Sequence, residues 1–158
     1  EDAKPWDKVL VPLMGLGMFL ILPVAGFEAR YDWRPLFGLP VKIITLFIFL
    51  AGYVFGSYAL ISNPFFSVVV RPQTERGQQV ITGGPYCWVR HPGYAGTIWT
   101  NPAIPILLDS AWAFLPLIFL VVVLVIRTNL EDKTLQNELA GYREYAGRVR
   151  YRLFPGIW

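Results

Sequence analysis

Cysteine and histidine are almost missing from this 158-residue chain: it has one of each, Cys87 and His91. A single cysteine excludes an intramolecular disulfide and a cysteine-cluster metal site. A single histidine without cysteine partners argues against a zinc centre, so no metal is expected. Charge is also scarce, at 16% of residues, and it is clustered rather than spread. The long runs between the clusters carry no charge, which is unlike a soluble domain. No Gly-x-Gly-x-x-Gly follows a strand-like run, so a Rossmann nucleotide site is not expected. The net charge of +3 suits anionic headgroups and does not by itself point to nucleic acid.

Apolar residues make up 54% of the chain, and the mean hydropathy is +0.44. Soluble domains reach about 45–50% only when glycine is counted as apolar. The composition therefore predicts an integral membrane protein. Its length suits one domain, 1–158, with N-terminal spans in 1–66 and a second, chemistry-bearing half in 67–158.

Residues 1–8 are polar, with Pro5 and Trp6, and read as an interfacial anchor. Residues 9–27 are uncharged and approach the roughly 20 residues that cross the hydrocarbon core. This run is too long for a signal peptide and lacks a small-residue cleavage pattern. Residues 28–42 form a loop of mixed charge. A second span is expected over 43–66, where Gly52, Gly56 and Ser57 permit close helix packing and Asn63-Pro64 ends the helix.

Two further apolar runs, 94–108 and 111–126, flank Asp109-Ser110. Each is near 15 residues, short against the usual range of about 17–25. They read as a tight helical hairpin bent by Pro102, Pro105 and Pro116. The rest, 127–158, is polar and basic, with Leu135, Leu139, Tyr142 and Val149 in one helical stripe. That stripe predicts an amphipathic tail lying on the membrane or capping the bundle. The expected fold is all-α, with about four transmembrane helices. Lys and Arg concentrate in 1–8, 67–93 and 127–158, which places both termini and the tail on the cytoplasmic side.

This topology brings two polar clusters to one membrane face. The first is the glycine- and proline-bounded stretch 83–96, with Arg90, His91 and Tyr94; the second is Arg127 with Glu131 and Asp132. Arg127 and Glu131 stand one helical turn apart. Spacing leaves two readings open: a structural Arg127–Glu131 ion pair with anchoring arginines, or a ligand site.

The residues carry a resemblance. Gly84-Pro85-Tyr86 followed by Arg90-His91-Pro92-Gly93-Tyr94-Ala95-Gly96 resembles the Arg-His-Pro-x-Tyr-x-Gly signature of the isoprenylcysteine carboxyl methyltransferase family, which belongs with the phospholipid N-methyltransferases. The likeness runs on through Arg127-Thr128, Glu131-Asp132, Leu135, Glu138, 142–145 and 152–155, covering roughly 63–158. Family members usually carry two glutamates where this chain has Glu131-Asp132.

The resemblance implies methyl transfer from S-adenosylmethionine, with S-adenosylhomocysteine as product, in a pocket facing the cytoplasm. It implies catalytic roles for Arg90, His91 and Arg127. Cofactor contacts would come from Arg90, His91, Pro92, Tyr94, Gly96, Glu131, Asp132, Leu135, Tyr142 and Tyr145. Glu131 would accept from the donor's amino or ribose groups, and Arg90 or Arg127 would meet its carboxylate. Tyr94 would wall the adenosyl part, and His91 would orient the loop or act as base for a thiol or amine. The acceptor would be lipophilic or small: a prenylcysteine-like carboxylate, a phospholipid amine or a thiol. The implied partners are the bilayer and that acceptor; no feature assigns an oligomeric state. Two rival readings are a nicotinamide-dependent membrane reductase of the sterol-reductase type and a non-catalytic lipid-binding module.

Overall fold

The computed structural model describes residues 3–71, 73 and 76–158, and is all-helical among them. Parts of two polar stretches read above, residues 1, 2, 72, 74 and 75, lie outside the described residues. Six helices follow in order: α1 Asp7–Arg30, α2 Leu39–Ile61, α3 Pro92–Thr100, α4 Ala103–Leu107, α5 Phe114–Glu138 and α6 Tyr142–Arg148. A short 3-10 turn, Gly84–Cys87, precedes α3.

Three helices, α1, α2 and α5, are long and apolar enough to cross a membrane. Their outward faces are apolar: Phe19 on α1, Phe47 and Val54 on α2, and Ile118 on α5 are all exposed. Buried charge with exposed phenylalanine inverts the pattern of a soluble protein and suits a lipid solvent. Within lipid, helices associate through close packing more than through apolar burial. The α1–α5 seam follows that rule, with Ile21 and Ala25 set against Ala113, Leu117 and Leu120. A Cβ on Gly17 would stand only 3.1 Å from the Leu120 Cβ, so glycine sets the spacing there.

The first arm of the expected hairpin is not one helix. It breaks into α3 and α4 at Asn101-Pro102. Pro102 and Pro105 lack amide donors, so α-helical bonding cannot continue through them. Local polar groups bridge the region: Thr97 and Thr100 hydroxyls donate to the carbonyls of Gly93 and Gly96, and the Asn101 amide donates to Thr97. The broken arm still runs antiparallel to α2 along its length. At one end Gly96 lies against Gly56, where an added Cβ would come within 2.7 Å of the Gly56 Cα. At the other end Lys42 donates to Asp109 at 2.6 Å, and the Phe37 amide donates to it at 2.9 Å.

The turn falls at Asp109-Ser110, as expected, with Asp109 in the left-handed region at φ 54°. Buried Glu28, at the end of α1, holds it. Glu28 accepts from the Ser110 hydroxyl and from the amides of Ala111 and Trp112 at 3.2 and 3.1 Å. These amides would otherwise be unsatisfied at the approach to α5.

Boundaries differ from the sequence expectation: α2 runs Leu39–Ile61 where the span is expected over 43–66, and α1 begins at Asp7 within the expected polar anchor. α5 does not end near residue 126 but continues to Glu138, with Arg127, Thr128 and Asp132 buried on one side of the extension while Lys133, Asn137 and Glu138 face outward. The tail is therefore not one amphipathic helix. Gly141, at φ 80°, breaks it before α6. Residues 149–158 then turn back beneath the 90–91 corner, where the amides of Arg90 and His91 donate to the carbonyls of Tyr151 and Arg152, each at 2.9 Å.

Candidate functional site

Pro92 starts α3 at a position where its missing amide costs nothing. That start fixes His91 and Tyr94 at the polar end of the bundle. Their rings stack with centroids 5.7 Å apart and 6° between planes. α5 returns antiparallel beside α1 and delivers Arg127, Glu131 and Asp132 to the same end. The two polar clusters therefore meet: Tyr94 donates its hydroxyl to Glu131 at 2.6 Å, and Arg127 donates to that same hydroxyl. Arg127 also lies over the Tyr94 ring, 5.4 Å from its centroid.

A cleft opens beside this junction. It encloses about 830 Å³, counting the space at its open mouth. Its polar wall carries Arg90, His91, Tyr94 and Glu131, and its far wall carries Leu135, Leu139, Tyr142 and Tyr145. The third side is the irregular 63–81 segment, which contributes Phe65, Val69, Val70, Gln78, Val80 and Ile81 among others. The sequence expectation places 63–66 at the end of the second span and takes the following residues only as part of a basic stretch, so it misses this wall; a long run without helical periodicity was the available hint.

The segment is braced internally. Buried Gln73 donates to the Phe65 carbonyl at 2.6 Å and accepts from Arg76 at 2.7 Å, while its amide donates to Gln78 at 2.9 Å. Arg76 reaches on to the Pro64 carbonyl.

The expected site residues divide into two groups. Arg90, His91, Tyr94, Glu131, Leu135, Tyr142 and Tyr145 line the cleft. Pro92, Gly96, Arg127 and Asp132 are not among its lining residues. Pro92 is buried as the helix start. Gly96 allows a close approach, but to Gly56 of α2.

Asp132 is fully buried and heavily engaged. It accepts from Arg152 Nε at 2.9 Å, Gln136 at 2.8 Å, the Tyr142 hydroxyl at 3.1 Å and Arg90 at 3.1 Å. His91 Nε2 stands 3.4 Å away. Arg90 Nε approaches Asp132 Oδ1 at 2.8 Å but is not aligned for a hydrogen bond, so this contact is ionic. Arg90 spends its remaining donors on the carbonyls of Ala146 and Val149. A carboxylate with this many donors ties α3, α5, α6 and the tail together and has little capacity left for a ligand.

Arg127 likewise has a partner the sequence did not disclose. It does not pair with Glu131. Its Nε donates to Asp7 at 2.7 Å, and a second nitrogen reaches Asp7 at 3.2 Å and the Val68 carbonyl at 2.6 Å. The sequence expectation places Asp7 only within a polar anchor; an acid directly at the start of a span was the available signal.

Glu131 is different. It receives one protein hydrogen bond among the described residues, from Tyr94, and lines the cleft. Burial pushes the hydroxyls of Tyr86, Tyr142 and Tyr145 above the ordinary phenol range, so they remain protonated donors at neutral pH. Tyr145 donates to the Tyr86 carbonyl at 2.7 Å, and Tyr86 accepts from Asn63 at 3.1 Å. Among the described residues no cluster of His, Cys, Asp and Glu is arranged to hold a metal ion.

The profile of the isoprenylcysteine carboxyl methyltransferase (ICMT) family matches residues 43–137. The chain belongs to that family. The match spans α2, the 63–81 wall, α3, α4 and nearly all of α5, and so contains His91, Tyr94 and Glu131. Curated proteins return no match to the chain. Family membership makes the protein a membrane methyltransferase by class, which sets aside the reductase and non-catalytic readings as first choices. It also gives the cleft a chemistry to be tested against its residues.

Proposed function

We propose that the cleft binds S-adenosylmethionine and that the chain transfers its methyl group to a lipophilic acceptor at the cytoplasmic membrane face. The observation that carries this reading is the meeting of His91 and Tyr94 with Glu131 on one cleft at the polar end of an apolar bundle. The donor set fits the cofactor. Glu131 offers carboxylate capacity to amino or ribose groups, and the stacked His91 and Tyr94 rings offer a flat wall. The negative charge of Glu131 also favours a cationic sulfonium ligand.

When bound, S-adenosylmethionine supplies an electrophilic methyl group on sulfur; an acceptor lone pair forms the new bond as the carbon–sulfur pair returns to sulfur, leaving S-adenosylhomocysteine. The chain's own contribution is positioning and exclusion of water. Tyr94 fixes Glu131 from one side, and Arg127 fixes Tyr94 from the other. Arg90 and Arg127 are both committed to buried aspartates, so neither is assigned the ligand's carboxylate. His91 remains the ionisable group for an acceptor that must lose a proton; a carboxylate acceptor needs none.

The apolar wall of Phe65, Val69, Val70, Val80 and Ile81 favours a lipophilic acceptor over a small polar one. The cytoplasmic orientation rests on the concentration of Lys and Arg at this end. The antiparallel run of α3 and α4 beside α2 supports a fourth crossing made by a broken helix.

Calorimetric titration of the chain in nanodiscs with S-adenosylmethionine, S-adenosylhomocysteine and NADPH tests the reading. Saturable binding of the first two alone is expected. Binding of NADPH alone points to the reductase class, and binding of none of the three to a lipid-binding module.

A further inference from the structure

Asp7 is the first residue of α1 and is fully buried, yet it lies outside the family-matched region. Its two carboxylate oxygens serve both flanks of the cleft. Oδ1 accepts from Arg127 Nε at 2.7 Å. Oδ2 accepts from another Arg127 nitrogen at 3.2 Å and from the Val70 amide at 2.6 Å. From Arg127 one path leads through the Tyr94 hydroxyl to Glu131. A second leads to the Val68 carbonyl, so residues 68–70 of the irregular wall are held at both Val68 and Val70. The Val70 carbonyl in turn accepts from the Lys4 amide at 3.1 Å, fastening the same wall to the start of the N-terminal helix.

A carboxylate in this position is costly to bury and is offset only because each of its oxygens is used. A structural ion pair alone would need only the arginine. Here the same carboxylate orients a guanidinium whose remaining nitrogen touches Tyr94, and it pins a loop whose neighbours Val69 and Val70 line the cleft. Resting on the methyl-transfer reading above, we propose that Asp7 is a positioning residue of the cofactor site. It sets the Arg127–Tyr94–Glu131 relay and the Val68–Val70 wall, so that α1 is required for a competent cleft and is more than a membrane anchor.

Asn at this position keeps the shape but has one oxygen and one NH2 group. With its oxygen in the Oδ2 place it still accepts from the Val70 amide, but its NH2 then faces Arg127 Nε where Oδ1 accepted, so the guanidinium loses its paired hold. The test is a double-mutant cycle on S-adenosylmethionine affinity, using the full chain in nanodiscs with Asp7→Asn, Tyr94→Phe and the double variant. Asp7→Asn is expected to weaken binding on the order of tenfold. The double variant is expected to lose less than the sum of the two single losses, because both changes break the relay while Asp7→Asn alone also loosens the Val68–Val70 wall.

Lys4→Ala, which removes only the Lys4–Glu138 ion pair at the same corner, is expected to leave affinity unchanged. Should Asp7→Asn fail to fold, Asp7→Glu, which keeps the charge but displaces it by one methylene, carries the same cycle. Affinity within twofold of wild type, additive losses in the cycle, or an equal loss in Lys4→Ala each overturn the proposal. If the wild-type chain binds no S-adenosylmethionine, the methyl-transfer reading itself fails and this inference falls with it, an outcome distinct from wild-type binding that Asp7→Asn leaves intact.

Discussion

Glu131 and Asp132 are neighbours on α5, and their carboxylates do opposite jobs. Among the described residues Glu131 takes one hydrogen bond, from Tyr94, and it lines the cleft. Asp132 is sealed among Arg90, Arg152, Gln136 and Tyr142. Successive residues on a helix point about 100° apart, so one faces the ligand space and the other the packed corner.

This contrast gives the first prediction. Glu131→Gln keeps the fold and weakens S-adenosylmethionine binding by about 1.5–3 kcal/mol, the range for a hydrogen bond to a charged group. Titration calorimetry against wild type checks it; unchanged affinity in a folded variant moves Glu131 to a structural role.

Asp132→Asn should behave differently. Removing this charge leaves Arg90 and Arg152 facing each other without their shared counter-ion, a change that costs about 3–5 kcal/mol when a buried pair is broken. The expected signature is a lower unfolding midpoint in detergent, whether or not cofactor is present. A midpoint equal to that of wild type contradicts the assignment.

Gly96→Ala tests the crossing of α2 and α3. The added methyl would stand 2.7 Å from the Gly56 Cα, a backbone atom that cannot step aside. Forcing the helices apart is expected to cost about 1–3 kcal/mol and to loosen the cleft through His91 and Tyr94, which ride on α3. Thermal unfolding and cofactor titration of the same sample read both effects.

At the opposite end, the hydrogen bond from Lys42 and then that from the Phe37 amide hold the Asp109 carboxyl below its ordinary range. A depressed carboxyl contributes stability above its unfolded value and loses that contribution as the pH falls through the folded one. Lys42→Met should therefore raise the Asp109 titration toward the ordinary range, read by carbon NMR of the labelled carboxyl. An unmoved midpoint removes Lys42 as its cause.

The proposed orientation places Asp109 outside and Glu144 inside the cell. Single cysteines introduced at these positions in a chain with Cys87→Ser should label in that order in sealed cells with an impermeant maleimide. Glu144 labelling first reverses the topology.

The apolar runs 9–27 and 43–66 were legible because a bilayer demands long uncharged helices, and the Asp109-Ser110 turn because polar residues interrupt a run only where it leaves the lipid. The meeting of the two polar clusters followed from that hairpin. The true partners of Arg127 and Asp132 did not, because pairing depends on which helix lies alongside. Arg127 has Glu131 four residues away in sequence, but α1 brings Asp7 to the guanidinium instead. The continuation of α5 to Glu138 was hidden for the same reason: its polar turns read as a solvated tail, and only the partners brought by Tyr142 and Arg152 mark Asp132 as its packed side. The 63–81 wall has neither periodicity nor a motif, and its internal bracing through Gln73 is visible only in three dimensions.

The return of residues 149–158 beneath the Arg90–His91 corner also fixes an order of events. Ribosomes deliver α1 through α5 first, and those helices can enter the bilayer as they emerge. At that moment Asp132 lacks Arg152, and the amides of Arg90 and His91 lack the carbonyl acceptors supplied by Tyr151 and Arg152. A chain whose α1 to α5 have inserted but whose residues 149–158 have not yet docked therefore lacks these partners, so the polar end of the cleft is completed after insertion rather than during it.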